Sequence, residues 1–415
     1  MNDDIRFVYA FGEGKATEAP AGTDLNGLLG GKGSNLAEMT RLGLPVPPGF
    51  TLTTETCRAF WDAGNQVPDD AQTQVSDALK ALEAQMGYTF GDGEAPLLVS
   101  VRSGAAASMP GMMDTVLNLG LNDITVEALA IRSGNPRFAF DSYRRLLQMY
   151  SNVVMGMKGE ILDQLLERKK EGEDVRSDAQ LSVEALRQLV DIFKRKIFES
   201  TGRSFPQSPE EQLQEAIGAV FRSWNNRRAL DYRNANQIPH DIGTAVTVQA
   251  MVFGNLGATS ATGVAFTRDP NTGAKNFFGE WLPNAQGEDV VSGVRTPQPL
   301  NMSSGAFEGD ITLDEAQPEA YAELERIRHL LETHYTDMQD IEFTIQEAKL
   351  WMLQTRTGKR SAQAEVKLAI DMAEEGLIDR AEAIRRVRTQ TLEKLMHPRI
   401  DPHATRNIIA QGLGA

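Results

Sequence analysis

The stretch Pro96–Gly120, PLLVSVRSGAAASMPGMMDTVLNLG, sets the terms for the rest of the chain. Its apolar run Leu97-Leu98-Val99 reads as a buried strand arriving from the core. Arg102 and Ser103 follow, and then small residues from Gly104 to Ser108. A second soft segment, Met109 to Thr115, completes a long loop. Small residues let backbone N–H groups approach a polyanion, while hydroxyls and an arginine add charge-assisted donors. A plain surface loop carrying an incidental arginine is the competing reading.

At 415 residues, the chain has room for two or three compact units. Hydrophobic residues make up 41% and charged residues 24%, the profile of a soluble globular protein. A formal net charge of −15 argues against nucleic acid as the main partner. A polyanionic ligand would therefore be met by a few local cations and a divalent metal, not by the overall field. The single cysteine, Cys57, excludes an intrachain disulfide and fits a reducing compartment. The first residues lack a signal-peptide pattern, and no apolar run is long enough to span a membrane. A cytoplasmic location is the expectation.

Before the opening stretch, Phe7–Phe11 reads as a strand, and LLGGKGSNLAEM (Leu28–Met39) as a glycine-rich turn entering an amphipathic helix. It is not a Walker A loop: Asn26 stands where glycine is needed, and Gly33 where serine or threonine is needed. An ordinary tight turn remains the alternative. Thr54–Tyr88 reads as largely helical, with a polar turn at Asn65–Asp70. Beyond the stretch, Phe138–Met157 has helical spacing and carries Arg144 and Arg145, which could equally lie on a solvated face. Residues 160–200 read as a charged helical insertion.

From Ala245 the texture turns to short strands: Ala245–Phe253, Gly263–Thr267 and Asn276–Leu282. Asp340–Ile345 alternates strictly, so Asp340 and Glu342 share one face and Ile341, Phe343 and Ile345 the other. With Leu350–Arg356 it forms a hairpin whose register depends on the turn. A three-residue turn, Gln346–Ala348, pairs Phe343 with Trp351, buries the apolar residues together and sets Asp340 beside Gln354. The outcome is one polar face holding Asp340, Glu342, Gln354 and Arg356. Two carboxylates two apart on a strand suit Mg²⁺, and a neighbouring amide and guanidinium suit a transferring phosphoryl group. A solvent-exposed hairpin face with a surface ion pair is the alternative. Helical spacing resumes over Ala362–Glu375 and Ile378–Met396, ahead of Pro398 and Pro402. None of the five histidines, His240, His329, His334, His397 and His403, has the small-residue setting of a phosphoryl carrier.

Taken together, LLGGKGSNLAEM, SVRSGAAASMPGMMDTVLNLGLND, GNPRFAFDSYRRLLQMYS, GVAFTRDPNTG, NAQGEDVVSGVRTPQP, MQDIEFT and LQTRTGKR resemble the nucleotide-binding domain of the pyruvate, phosphate dikinase family. The resemblance runs over nearly the whole chain. It implies an α+β ATP-grasp fold: a mixed sheet at each end, a helical insert as lid and a C-terminal helical connector. The implied divisions are 1–111, 112–205 for the insert, 206–359, and 360–415 for the connector, with a hinge near Pro398–Pro402.

The resemblance also implies an activity. The whole enzyme turns ATP, phosphate and pyruvate into AMP, pyrophosphate and phosphoenolpyruvate by way of a phosphohistidine. This chain would supply the ATP half-reaction, with the phosphohistidine and pyruvate-binding domains expected beyond it. By resemblance, Lys32 and Arg102 bind phosphates, Arg145 closes over them, and Glu280, Glu288 and Asp289 line the nucleotide cleft. Asp340 and Glu342 hold Mg²⁺, Gln354 and Arg356 stabilise the transferring group, and the Gly104–Thr115 loop, with Gly111 in it, covers the triphosphate. A nucleotide-sensing fragment, a phosphoenolpyruvate synthase-like domain and an ATP-dependent ligase are the competing functional readings.

Overall fold

A computed structural model of the chain describes residues 5–109, 111–291, 295–307 and 309–396. In chain order its strands are β1 (Val8–Gly12), β2 (Lys15–Ala16), β3 (Gly49–Leu52), β4 (Thr89–Phe90), β5 (Pro96–Leu97), β6 (Val99–Gly104), β7 (Thr115–Leu119) and β8 (Ala245–Ala250). These are followed by β9 (Ala261–Phe266), β10 (Phe278–Pro283), β11 (Gln298–Pro299), β12 (Gln339–Gln346) and β13 (Lys349–Thr357). One sheet runs β2-β1-β3-β8-β6-β7 and another β11-β10-β9-β12-β13. Every pairing in both is antiparallel; the short β4–β5 pair outside them is parallel. The architecture is thus α+β, but the mixed sheets expected from the sequence are antiparallel. Short connections account for that arrangement in β1–β2, β6–β7, β9–β10 and β12–β13, whereas β3–β8, β6–β8 and β9–β12 join strands far apart in the chain.

Strand β8 is buried along its whole length at the middle of the first sheet. Its Val246 and Val248 suit a strand covered on both faces. Helices Pro136–Val153 and Pro209–Ser223 lie against this sheet, and Phe138, Tyr143, Leu147, Ile217 and Phe221 complete one core with Val99, Val101 and Val116. Thr115–Leu119, which the sequence reading assigned to the helical insert, is strand β7 of this sheet. A second core joins Ile341, Phe343 and Met352 to Leu324, Ile327 and Leu331 of helix Pro318–Tyr335. Phe11, Leu36, Met39, Leu44 and Val46 enter that second core as well, so the N-terminal segment is shared by both halves. Asn35 donates to the Thr355 carbonyl at 2.8 Å, and the Met352 N–H donates to the Pro45 carbonyl at 2.8 Å.

The glycine-rich turn lies inside a helix and does not precede one. Helix Leu25–Arg41 kinks at Gly30, whose φ of 67° and ψ of 166° break the helical path. A Cβ on Gly30 would sit 1.6 Å from the Gly104 carbonyl oxygen. The next residue, Gly31, donates its N–H to the Ala105 carbonyl at 3.0 Å. The kink and the end of β6 are therefore packed backbone to backbone, which only glycine permits. The segment 378–396, read as one helix, is two, Arg380–Arg386 and Thr389–Met396. The chain breaks where Arg388 donates its backbone N–H to Glu365 at 3.0 Å and its guanidinium to the same carboxylate at 2.6 Å. Pro398, Pro402, His397 and His403, with the hinge expected there, lie outside the described residues.

Candidate functional site

The β12–β13 hairpin presents the polar face expected, by a different register. Its turn has two residues, Glu347 and Ala348, with φ of 50° and 64°. This is the twist-compatible form of a tight hairpin, normally built from asparagine and glycine. Here the Ala348 N–H donates to the Thr259 carbonyl and the Glu347 N–H to the Ser260 hydroxyl, which holds the unfavourable conformation in place. A regular ladder from this turn would pair the carboxylates with Leu353 and Thr355. Instead the register shifts between Glu342 and Phe343, and Leu353 is the extra residue. Glu342 therefore faces Gln354, and Asp340 faces Arg356. The three-residue turn is corrected, and so is the pairing of Asp340 with Gln354. Trp351 falls opposite Thr344, two pairs from Glu342, under the Lys349 ammonium at 4.0 Å.

Two adjoining cavities lie between the sheets. One, of about 530 Å³, is lined by Arg102, Met251, Val252, Val264, Glu288 and Glu342 among others. The second, of about 480 Å³, runs between the Gly104–Ser108 loop, Gly111, Gln354 and Arg356. Lys32 and Thr115 line both, so the two cavities adjoin at these residues, the first the more apolar and the second the more polar.

Charge at the junction is unbalanced. Lys32 has no hydrogen bond or ion pair among the described residues, and burial, followed by the Arg102 charge, pushes its ammonium down to about 7. Glu342 pulls in the opposite direction but does not win. Arg102 donates to the Gln249 amide oxygen, while its buried Nε has no partner among the described residues. Burial lowers its pKa too. Half-buried cations without an ion-pair partner among the described residues still carry a desolvation cost, and an anionic ligand relieves it. Across the cleft, Arg356 Nε lies 2.7 Å from Asp340 Oδ2, and its Nη2 lies 3.8 Å from Glu342 Oε1. The Asp340 side chain is only 9% exposed, and among the described residues this guanidinium is its side-chain hydrogen-bond partner. Two carboxylates fit Mg²⁺ when phosphate oxygens supply further ligands. No group of three or more His, Cys, Asp or Glu among the described residues could hold a metal by itself.

Other residues singled out in the sequence fall differently. Arg145 lines neither cavity. It bridges Asp141 at 3.1 Å, Asp289 at 3.1 Å and Glu288 at 3.6 Å, tying helix Pro136–Val153 to the short helix Gly287–Val291. Burial pushes the Asp141 carboxyl up, but Arg144 and Arg145 outweigh it and hold it at about 2. Glu280 pairs with Val264 on β9, which pairs in turn with Glu342 on β12. It thus shares the carboxylate face, but at an exposed place outside both cavities. The Gly104–Thr115 loop walls the polar cavity and is anchored by Met109, buried with Trp224 and Ala229. Arg228 reinforces it through Asp114 and the Met112 carbonyl. His240 accepts from Arg233, and His329 and His334 lie beside Glu325 and Glu38; none of the three lines the cleft.

Two contributors escaped the sequence reading. Gln249 holds Arg102 through its amide oxygen and bonds the Pro47 carbonyl through its nitrogen. Its signal was a lone amide inside an otherwise apolar strand, AVTVQAMVF. The contact of Gly30 with Gly104 left no such signal, because residues 74 apart in the chain give no local pattern.

The family described as "Pyruvate phosphate dikinase, AMP/ATP-binding domain" matches residues 26–67, 61–311 and 303–377. The chain is 53% identical over 412 residues to pyruvate, phosphate dikinase of Rhizobium meliloti (strain 1021), covering 99% of this chain and 46% of that protein. It is 51% identical over 400 residues to the Clostridium symbiosum protein of the same name, covering 96% and 44%. To the chloroplastic protein of Flaveria trinervia it is 50% identical over 410 residues, covering 98% and 42%. The chain therefore spans slightly under half the length of these relatives.

Proposed function

The chain belongs to the pyruvate phosphate dikinase AMP/ATP-binding domain family, and from that premise we propose that its cleft binds Mg-ATP and passes a pyrophosphoryl group to a histidine on a separate domain. In the whole dikinase this is the ATP half-reaction, ahead of phosphate and pyruvate. The observation that carries the reading is the pair of half-buried cations, Lys32 and Arg102, which line one cavity with Glu342 and have no ion-pair partner among the described residues. Phosphoryl transfer needs little covalent help from protein. It needs in-line positioning and neutralisation of charge.

Lys32 and Arg102 would hold the phosphates from the first sheet, and the backbone of the Gly104–Thr115 loop would cover them, with Gly111 at its exposed rim. Gln354 and Arg356 would contact the transferring group from the second. A bond from the histidine nitrogen to the β-phosphorus forms as the bond from that phosphorus to the AMP oxygen breaks. Charge then gathers on the leaving oxygen and on the group in flight, where fixed cations act. Asp340 and Glu342 would hold Mg²⁺, which would offset the charge of the phosphates. Arg145, through Glu288 and Asp289, would position the wall that receives the nucleoside, with Glu280 at its outer edge. Two sheets gripping one nucleotide is the plan of an ATP-grasp fold, and we assign the chain to it on that ground.

Lys32 makes the reading testable by proton linkage. A bound polyanion raises the Lys32 pKa from about 7. At pH 8 binding should therefore take up a proton, and affinity should fall as pH rises through 7 and above. Below about 7 Lys32 is already charged and the uptake fades. The second proton of a phosphate monoester leaves near pH 6 (about 6), so the nucleotide itself contributes little at pH 8. Calorimetric titration with Mg-ATP in buffers of different ionisation enthalpy should give enthalpies that scale with the buffer. Lys32→Met should abolish that scaling and weaken binding. Tight binding by Lys32→Met with the scaling intact would contradict the assignment.

A further inference from the structure

Gln286 is the residue in the cleft whose chemistry is left unused. Its side chain is 6% exposed, and neither Oε1 nor Nε2 has a hydrogen-bond partner among the described residues. Its backbone is pinned: the Gln286 N–H donates to Asp289 Oδ2 at 2.9 Å, and its carbonyl accepts the Asp289 N–H at 2.9 Å. The residue lines the 530 Å³ cavity at the apolar end, with Met251, Val252, Val290 and Leu353. Neighbouring polar side chains there are already engaged. Gln249 holds Arg102, the Ser100 hydroxyl donates to the Gln249 carbonyl, and the Thr262 hydroxyl donates to the Phe343 carbonyl. A buried carboxamide with both ends unpaired is costly and calls for an explanation.

We propose that Gln286 reads the purine base and makes the cleft select adenine over guanine nucleotides. This rests on the nucleotide reading above. With phosphates fixed at the Lys32 and Arg102 end, the planar base falls among the apolar walls. A carboxamide presents a donor and an acceptor side by side. Adenine answers with its N6 amino donor and N7 acceptor, the bidentate pairing that glutamine makes with this base in nucleic acids. Guanine offers two acceptors, O6 and N7, on the same edge. Its O6 would face Gln286 Oε1, and a buried oxygen would stay unpaired.

The test is equilibrium binding of Mg-ATP and Mg-GTP to the full chain and to its variants. Wild type should favour ATP. Gln286→Met, close in shape but without the amide, should weaken ATP by about tenfold or more and leave GTP within about threefold. Gln286→Glu, which keeps an acceptor and loses the donor, should weaken ATP as well and guards against a folding defect peculiar to methionine. Lys32→Met should weaken both nucleotides alike. Equal losses for ATP and GTP in Gln286→Met, as a ribose contact would give, would overturn the proposal, and so would unchanged binding of both. Wild-type protein that is folded yet binds neither nucleotide would instead overturn the nucleotide reading itself.

Discussion

Arg356→Ala is expected to cut transfer from ATP to a phosphohistidine domain by about a thousandfold, the scale at which cations act on a phosphoryl group in flight. The effect on ATP affinity should be far smaller. Arg356 lies 2.7 Å from Asp340 and 3.8 Å from Glu342, the carboxylates proposed above to hold Mg²⁺. On the proposed reading, Mg²⁺ and the guanidinium would compete for these two carboxylates. Removing Arg356 should thus raise the affinity of the nucleotide-free chain for Mg²⁺ while destroying transfer. Isotope transfer to an added histidine domain reads the first effect, and metal titration the second. Transfer within tenfold of wild type would remove Arg356 from the chemistry.

Gly30→Ala should be the most damaging change that touches no ligand. A left-handed φ of 67° costs an alanine on its own account, and its Cβ would stand 1.6 Å from the Gly104 carbonyl. Strain and overpacking together put the loss at about 2–5 kcal/mol. If the chain instead moves apart, the Gly31–Ala105 hydrogen bond breaks and the end of β6, just beyond Arg102, shifts. Nucleotide binding should then fall along with stability. Gly14→Ala is the control: its φ is 73°, but the added Cβ meets nothing within 4 Å. Denaturant unfolding should find the Gly30 variant clearly the weaker of the two. Equal stability would mean that the kink does not depend on this contact.

How far the sequence spoke depended on the range of each interaction. Alternation within Asp340–Ile345 placed both carboxylates on one face without help from structure, because a strand's period is local. The hairpin register was not local. It turned on a bulge at Leu353 and on hydrogen bonds that the turn donates to Thr259 and Ser260, some 90 residues away in the chain. Burial of Trp351 was the wrong guide, since Lys349 covers its ring on the strand itself. The glycines at 30 and 31 pointed toward an anion site, yet their first role is to admit the β6 carbonyl. Arg145 was legible as a cation on a helix, but not as the link between that helix and Glu288 and Asp289. Strand β7 was hidden behind a loop-like run of glycine and methionine, and its pairing with β6 reveals it.

The most direct test supplies Mg-ATP labelled at the β-phosphorus to the full chain together with a phosphohistidine domain from one of its relatives. The account expects label on the acceptor, AMP as the nucleotide product, and loss of both in Lys32→Met. ADP as the product, or bound ATP with an acceptor that stays unlabelled, would contradict it.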